Sequence, residues 1–381
     1  MRERIYLDHA ATTPLTCSVK EYLISILDEW GNPSSLHSQG TKAKQILSDA
    51  RRSVAKFIGA DEKEIYFVPS GSAGNTLSIK GLFSDNSKKD NYEVFCSPTA
   101  HKSMLKACES CRYHTPLQVN SVGEIDPAYL EEVLTIHNAR KPLVCIEAAN
   151  SEIGTINNVI TIGEITHKHN GILVADATGY IPSCEVNMAL WRDYVDVLTF
   201  SGHKLHALKG TGILWKKDSV ALKPLIYGSQ EQGLVGGTEN VLGIASLGKA
   251  AADYHYSSVS SKSRDYVYHF ITKNIPDSYL VGNSVESKNR LPHNLYMCFR
   301  GIEGESLMFL LDMNGIQVST GSACTSGDLS PSATLSSIGM KEPDIHSCIR
   351  MSFGENLQVT ELNYICETLK QCVEKLRTFN I

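Results

Sequence analysis

The sequence predicts a layered α/β domain built on a mainly parallel sheet, followed by a smaller α+β domain. Three observations carry that reading. Between about residues 60 and 250, short apolar runs recur: Ile65–Val68, Val94–Cys96, Leu143–Ala148, Ile172–Ala175, Val195–Phe200 and Gly212–Trp215. Most are near-continuous in Val, Ile, Leu and Phe, as expected of strands buried on both faces of a sheet. Helix-length segments such as Ser103–Cys111 and Pro127–His137 separate several of them, and alternating strand and helix means α/β layering. Beyond about Tyr254 the pattern changes to a polar helical stretch (Ser257–Asn274), a strand-like Asn294–Phe299, a helical Glu305–Asn314, the loop Ser319–Pro331 and a closing helix, Glu361–Phe379.

The boundary implied is near residue 253. Residues 14–253 are expected to form the large domain, and residues 254–381 the small one, completed by residues 1–13.

Composition narrows the function. The chain has 381 residues, 42% hydrophobic and 20% charged, the make-up of a globular protein of two or three domains. Its 36 Lys and Arg against 41 Asp and Glu give a net charge of -5, so direct nucleic-acid binding is not expected. The start, Met1–Ala10, has no apolar core of a signal peptide, and no apolar run is long enough to span a membrane. Eleven Cys, odd in number and scattered, read as reduced thiols in the cytoplasm. Cys108 and Cys111 form a CxxC without a second such pair, so no metal site is expected.

In such sheets ligands sit at the carboxyl ends of the strands, which is where the chemistry-bearing residues fall. Ser201-Gly202-His203-Lys204 follows a buried run, and a desolvated Lys204 there loses its proton readily enough to act as a Schiff-base nucleophile. Asp176 ends another run. A buried carboxylate beside a candidate Schiff-base Lys is the pair that a pyridoxal phosphate site requires. Ser70-Gly71-Ser72-Ala73-Gly74-Asn75 is a small-residue turn from strand to helix, suited to an anion. His101 heads a helix after a strand, placed either to cap that helix or to stack on a flat ring. Cys324 lies in a loop of small residues, Thr320–Gly327, with the access that a nucleophilic thiol needs. Arg350, on a short strand, has the fork that grips carboxylates.

Together these pieces resemble the cysteine desulfurases, a branch of the fold-type I pyridoxal-phosphate enzymes related to class V aminotransferases. The likeness runs through Tyr6–Pro14, Gly31–Ser35, Thr99–Lys102, Glu152–Gly154, Ser201–Lys204, Gly237–Asn240, Ser322–Ser326 and Ile349–Gly354. It implies a fold-type I transferase with a seven-stranded large-domain sheet, acting as a homodimer with pyridoxal 5′-phosphate. On that basis Lys204 binds the cofactor aldehyde, Asp176 its ring nitrogen, and His101 stacks above. Ser201, His203, the Ser72–Ala73 turn and Thr238 from the partner subunit hold the phosphate, and Ser151 stands where a cofactor-contacting Asn is usual. Asn32 and Arg350 grip the carboxylate of L-cysteine. Lys204 then moves the α-proton, the Cys324 thiolate takes the sulfur, alanine departs, and a persulfide is left for an acceptor protein.

Departures from the family pattern cluster around the cofactor. The phosphate loop is one residue shorter and reads Ser72-Ala73-Gly74-Asn75 in place of a Thr-Glu pair. The Glu before the stacking His is Ala100, a Gln is Gly179 and an Arg is Val235. Two other functions fit the same residues: a selenocysteine lyase or other β-eliminating enzyme, which needs no Cys324, and a catalytically degenerate dimeric scaffold. The acceptor is left open among iron–sulfur assembly, tRNA thiolation and DNA phosphorothioation.

Overall fold

A computed structural model of the chain describes residues 4–83, 91–256, 259–320, 331–354 and 357–379. The strands are β1 (Ile5–Tyr6), β2 (Ile65–Val68), β3 (Tyr92–Cys96), β4 (His114–Pro116), β5 (Lys141–Glu147), β6 (Ile172–Asp176), β7 (Val197–Ser201), β8 (Gly212–Lys216), β9 (Ser278–Leu280), β10 (Asn294–Phe299), β11 (Ile316–Gln317) and β12 (Cys348–Ser352). The helices are α1 (Cys17–Ile26), α2 (Ser38–Ile58), α3 (Gly71–Phe83), α4 (Lys102–Glu109), α5 (Pro127–Ile136), α6 (Val159–Lys168), α7 (Met188–Trp191), α8 (Val241–Asp253), α9 (Val259–Asn274), α10 (Gly304–Met313), α11 (Ala333–Ser337), α12 (Glu342–Ile345) and α13 (Val359–Phe379).

Seven strands form the large sheet in the order β2-β8-β7-β6-β5-β3-β4. The pairings β3–β4, β3–β5, β5–β6 and β6–β7 are parallel, while β8 runs antiparallel to both β2 and β7. Two reversals cancel, so β2 points the same way as β7 and its carboxyl end falls on the same edge. All six apolar runs of the sequence are strands here. The seventh, β4, is three residues with none fully buried and a terminal Pro, which gives no hydrophobic signal and suits an edge.

Both faces of the sheet are covered. On one face, Val54, Leu130, Ile162 and Leu247 of α2, α5, α6 and α8 pack with Val144, Leu173 and Leu198. On the other, Leu77 and Ile79 of α3 and Met104 of α4 pack with Val94, Leu143, Val174 and Val197. Local chemistry sets the helix ends: Asp126 caps α5 ahead of Pro127, and Gly59 closes α2 in the left-handed region at φ 70°.

A second core gathers Leu295, Met297 and Phe299 of β10, Leu307 and Leu311 of α10, and Ile365, Leu369 and Val373 of α13. Ile5 and Leu7 belong to it, because β1 pairs in parallel with β11. From there the N-terminal segment crosses to the large sheet. Ala10 N donates to Ser352 Oγ at 2.8 Å, and Thr13 N donates to the His203 carbonyl at 3.0 Å.

Candidate active site

The carboxyl ends of β2, β3, β6 and β7 bring Ser72, His101, Asp176 and Lys204 to one edge of the sheet. Lys204 ends a short 3-10 turn, Gly202–Lys204, directly after β7. Burial of its ammonium, reinforced by Arg350 and opposed by Asp176 and Asp8, lowers its pKa from 10.5 to about 8. No ion pair holds it among the described residues.

Asp176 closes β6 and is buried. Its Oδ2 accepts from Asn75 Nδ2 at 2.7 Å and its Oδ1 from Thr178 N at 2.8 Å. Asn75, on the first turns of α3, also donates to Ser103 Oγ at 3.1 Å and accepts from Thr199 Oγ1 at 2.5 Å. Ser103 carries the chain of contacts on to His101, which caps α4: Ser103 N donates to His101 Nδ1 at 3.2 Å. A backbone donor on Nδ1 leaves the proton of the neutral ring on Nε2. Desolvation lowers the His101 pKa, Asp176 opposes that shift, and Lys204 adds to it.

At the other end of the site, α3 begins at Gly71 and places Ser72 and Ala73 in its first turn. Gly71 N donates to Ser201 Oγ at 3.0 Å. A Cβ on Gly71 would stand 2.5 Å from Ser201 Oγ and 3.1 Å from Thr178 Oγ1, so only bare backbone fits there. Thr178 Oγ1 is buried and has no hydrogen-bond partner among the described residues. His203 is half-buried beside Thr12, whose Oγ1 lies 3.1 Å from its Nδ1, and burial followed by Lys204 lowers its pKa to about 4.

Arg350 reaches the same region from β12. One arm of its fork donates to Asp8 Oδ1 at 2.8 Å and the other to the Ser151 carbonyl at 3.1 Å. Its Nε is buried without a partner among the described residues. Nearby, Glu152 accepts from Ser332 Oγ at 2.7 Å and from Tyr296 OH at 3.2 Å, and Tyr296 OH also donates to the Thr320 carbonyl at 2.8 Å. This pair therefore holds residues 320 and 332, on either side of the segment that carries Cys324. Cys324 itself lies outside the described residues.

The aminotransferase class-V family model matches residues 5–365. The cysteine desulfurase IscS of Dictyoglomus turgidum is 36% identical over all of this chain and 97% of its own length. The chain belongs to the class-V aminotransferase family, with the cysteine desulfurases. Its fold is that of fold-type I pyridoxal-phosphate enzymes. The NifS-like protein of Rickettsia africae superposes with a TM-score of 0.86 at 29% identity, over 98% of this chain and 100% of that one. A structure described as SspA in complex with cysteine gives 0.78 at 27% identity, over 93% of this chain and 100% of that one.

Of the other residues expected at the site, Arg350, Asn32 and Ser151 have partners within the chain. One arm of the Arg350 fork is occupied by Asp8. Asn32 is exposed and its Oδ1 accepts from Ser34 N at 2.9 Å, a local turn. Ser151 meets Arg350 through its backbone carbonyl. Asn150 does not replace it: its side chain is taken up by the Thr99 carbonyl and by Glu152 N and Ile153 N. Thr238 is exposed. Gly179 is there for a steric reason, since a Cβ would stand 2.5 Å from the Ala149 carbonyl oxygen. Sequence reasoning missed Asn75, Thr178 and Asp8. Asn75 and Asp8 stood in quoted motifs, but their partners Asp176 and Arg350 lie on distant strands.

The residues present fit pyridoxal phosphate. The site offers a buried carboxylate, a desolvated amine, and a backbone cradle at Gly71 with the unpartnered Thr178 hydroxyl beside it.

Proposed function

We propose that this chain is a pyridoxal phosphate-dependent cysteine desulfurase that moves the sulfur of L-cysteine onto Cys324 and releases L-alanine. The observation that carries the reading is the pairing of Lys204, its pKa lowered to about 8, with Asp176 on the neighbouring strand. When bound, pyridoxal phosphate supplies an electron sink for the carbanion at the substrate α-carbon.

The protein residues do the rest. Asp176, fixed by Asn75 and Thr178 N, presents a carboxylate to the ring nitrogen and keeps a proton there. Lys204 would hold the aldehyde carbon, and its lowered pKa leaves a fraction neutral near pH 8 to take up the substrate α-proton. His101, carrying its proton on Nε2, would cover the ring. Ser72, Ala73, Ser201 and His203 hold the phosphate, with Thr238 of the partner subunit. Arg350 and Asn32 bind the substrate carboxylate, which replaces Asp8 on the Arg350 fork. The Cys324 thiolate then attacks the substrate sulfur. An S–S bond forms and the Cβ–S bond breaks; its electron pair stays with Cβ, which is protonated to the methyl group of alanine.

Residues 14–253 form the domain that holds the cofactor, and residues 1–13 with 254–381 the domain that carries Cys324. The separate apolar cores support that division. A homodimer is supported by exposed apolar side chains, among them Trp30 at 76% and Leu36 at 99% exposure. The ten described cysteines are all free thiols, which suits the cytoplasm. No helix among the described residues is long and apolar enough to cross a membrane.

Incubation of the purified protein with L-cysteine should release alanine and leave an added sulfur on Cys324 in peptide mass spectra. Cys324→Ser should abolish both. Alanine release that persists in Cys324→Ser would overturn the persulfide route in favour of simple elimination.

A further inference from the structure

Glu147 is a buried carboxyl group that the mechanism above does not use. It is the last residue of β5, in register with Asp176, the last residue of β6. Registered residues of parallel neighbours project from the same face, so the two carboxyl groups stand side by side beneath the Thr99–His101 turn. Glu147 is only 4% exposed. Its Oε1 accepts from Thr99 Oγ1 and, at 3.5 Å, from Ser97 Oγ. Its Oε2 is buried and has no hydrogen-bond partner among the described residues.

A buried carboxylate oxygen without a donor is costly, and the cost is relieved when that oxygen carries the proton. The surroundings favour the proton. Burial raises the Glu147 pKa to about 7, and the negative charge of Asp176 pushes in the same direction. Of the ionisable groups on the packed elements, Asp176 faces it from β6, the Cys96 thiol from β3, and His101 stands at the head of α4. Asn75 of α3, which donates to Asp176, is neutral.

We propose that Glu147 is a positioning residue: a neutral carboxylic acid that braces the Ser97–His101 turn and leaves Asp176 as the single negative charge under the cofactor ring. Its effect on bound cofactor rests on the functional reading above. Loss of the Glu147 proton puts a second negative charge beside Asp176 and raises the proton affinity of every group that Asp176 faces.

Two measurements test this. In the cofactor-free protein, infrared difference spectra between about pH 6 and about pH 8.5 should show the carbonyl stretch of a protonated carboxyl disappearing, and Glu147→Gln should lack that band. In the cofactor-loaded protein, the visible absorbance should show a titration step near neutral pH that Glu147→Gln removes while keeping the acid-side spectrum of the unmodified protein. Glu147→Leu, which loses the Thr99 contact, should not keep that spectrum. An infrared difference identical in Glu147→Gln, or absorbance titrations that superimpose, would overturn the proposal. If no variant takes up cofactor, the functional reading falls, and the infrared measurement alone decides Glu147.

Discussion

The two ends of the candidate cofactor site are built differently. At the Asp176 end, side chains from α3, α4, β6 and β7 interlock: buried Asp176, Asn75 and Thr199, with half-buried Ser103, leave few polar atoms unpaired. At the Ser72 end, small residues on the first turn of α3 offer backbone, and Ser72 is exposed. One end is held by side chains that few substitutions would spare. The other relies on the helix N-terminus and Ser201. The departures from the family pattern at Ser72 and Ala73 fall at the open end, whereas Gly74 is buried, where a Cβ would stand 3.1 Å from Thr199 Cγ2. The lesson is that the two ends of such a site can diverge separately.

Substitutions on the two ends sharpen that contrast. Asp176→Ala should have the largest effect, a loss of about 10²–10⁴-fold in alanine release, comparable to removing a group that acts on the proton inventory of a transition state. Asn75→Ala removes a donor from Asp176 and should weaken cofactor binding by about 1–3 kcal/mol, read from equilibrium dialysis. Ser72→Ala should cost less, about 0.5–1.5 kcal/mol in the same assay. A Ser72→Ala loss larger than that of Asn75→Ala would break the comparison.

A smaller effect concerns stability. The Lys204 pKa lies at about 8 in the folded protein against an ordinary 10.5. The unfolded chain therefore binds more protons between those values, and stability rises with pH through that window. Lys204→Met should stabilise the cofactor-free protein at neutral pH, with the gain shrinking as pH approaches about 10.5 in chemical denaturation.

Much of this architecture was legible in the sequence, for identifiable reasons. The buried strands announce themselves as unbroken apolar runs, so Ile65–Val68 and Asn294–Phe299 coincide with β2 and β10. Lys204, Asp176 and His101 stand next to such runs, which places them at strand ends before any coordinates are known. What escaped depends on distance along the chain. Asp8 and Arg350 meet across 342 residues, and Glu147 faces Asp176 only through strand register. Edge strand β4 is short and polar enough to look like a loop. Gly179 reads as a lost side chain until the Ala149 carbonyl is seen in its place.

The crossing of residues 5–13 between the two cores bears on how the molecule is made. These residues precede the rest of both cores along the chain, yet β1 waits for Ile316 and Gln317, and Asp8 waits for Arg350. Contacts of such sequence separation form late. The nascent large domain can bury its sheet while residues 5–13 are still unplaced, and the amine at position 204 gains its full electrostatic surroundings only after Arg350 has emerged.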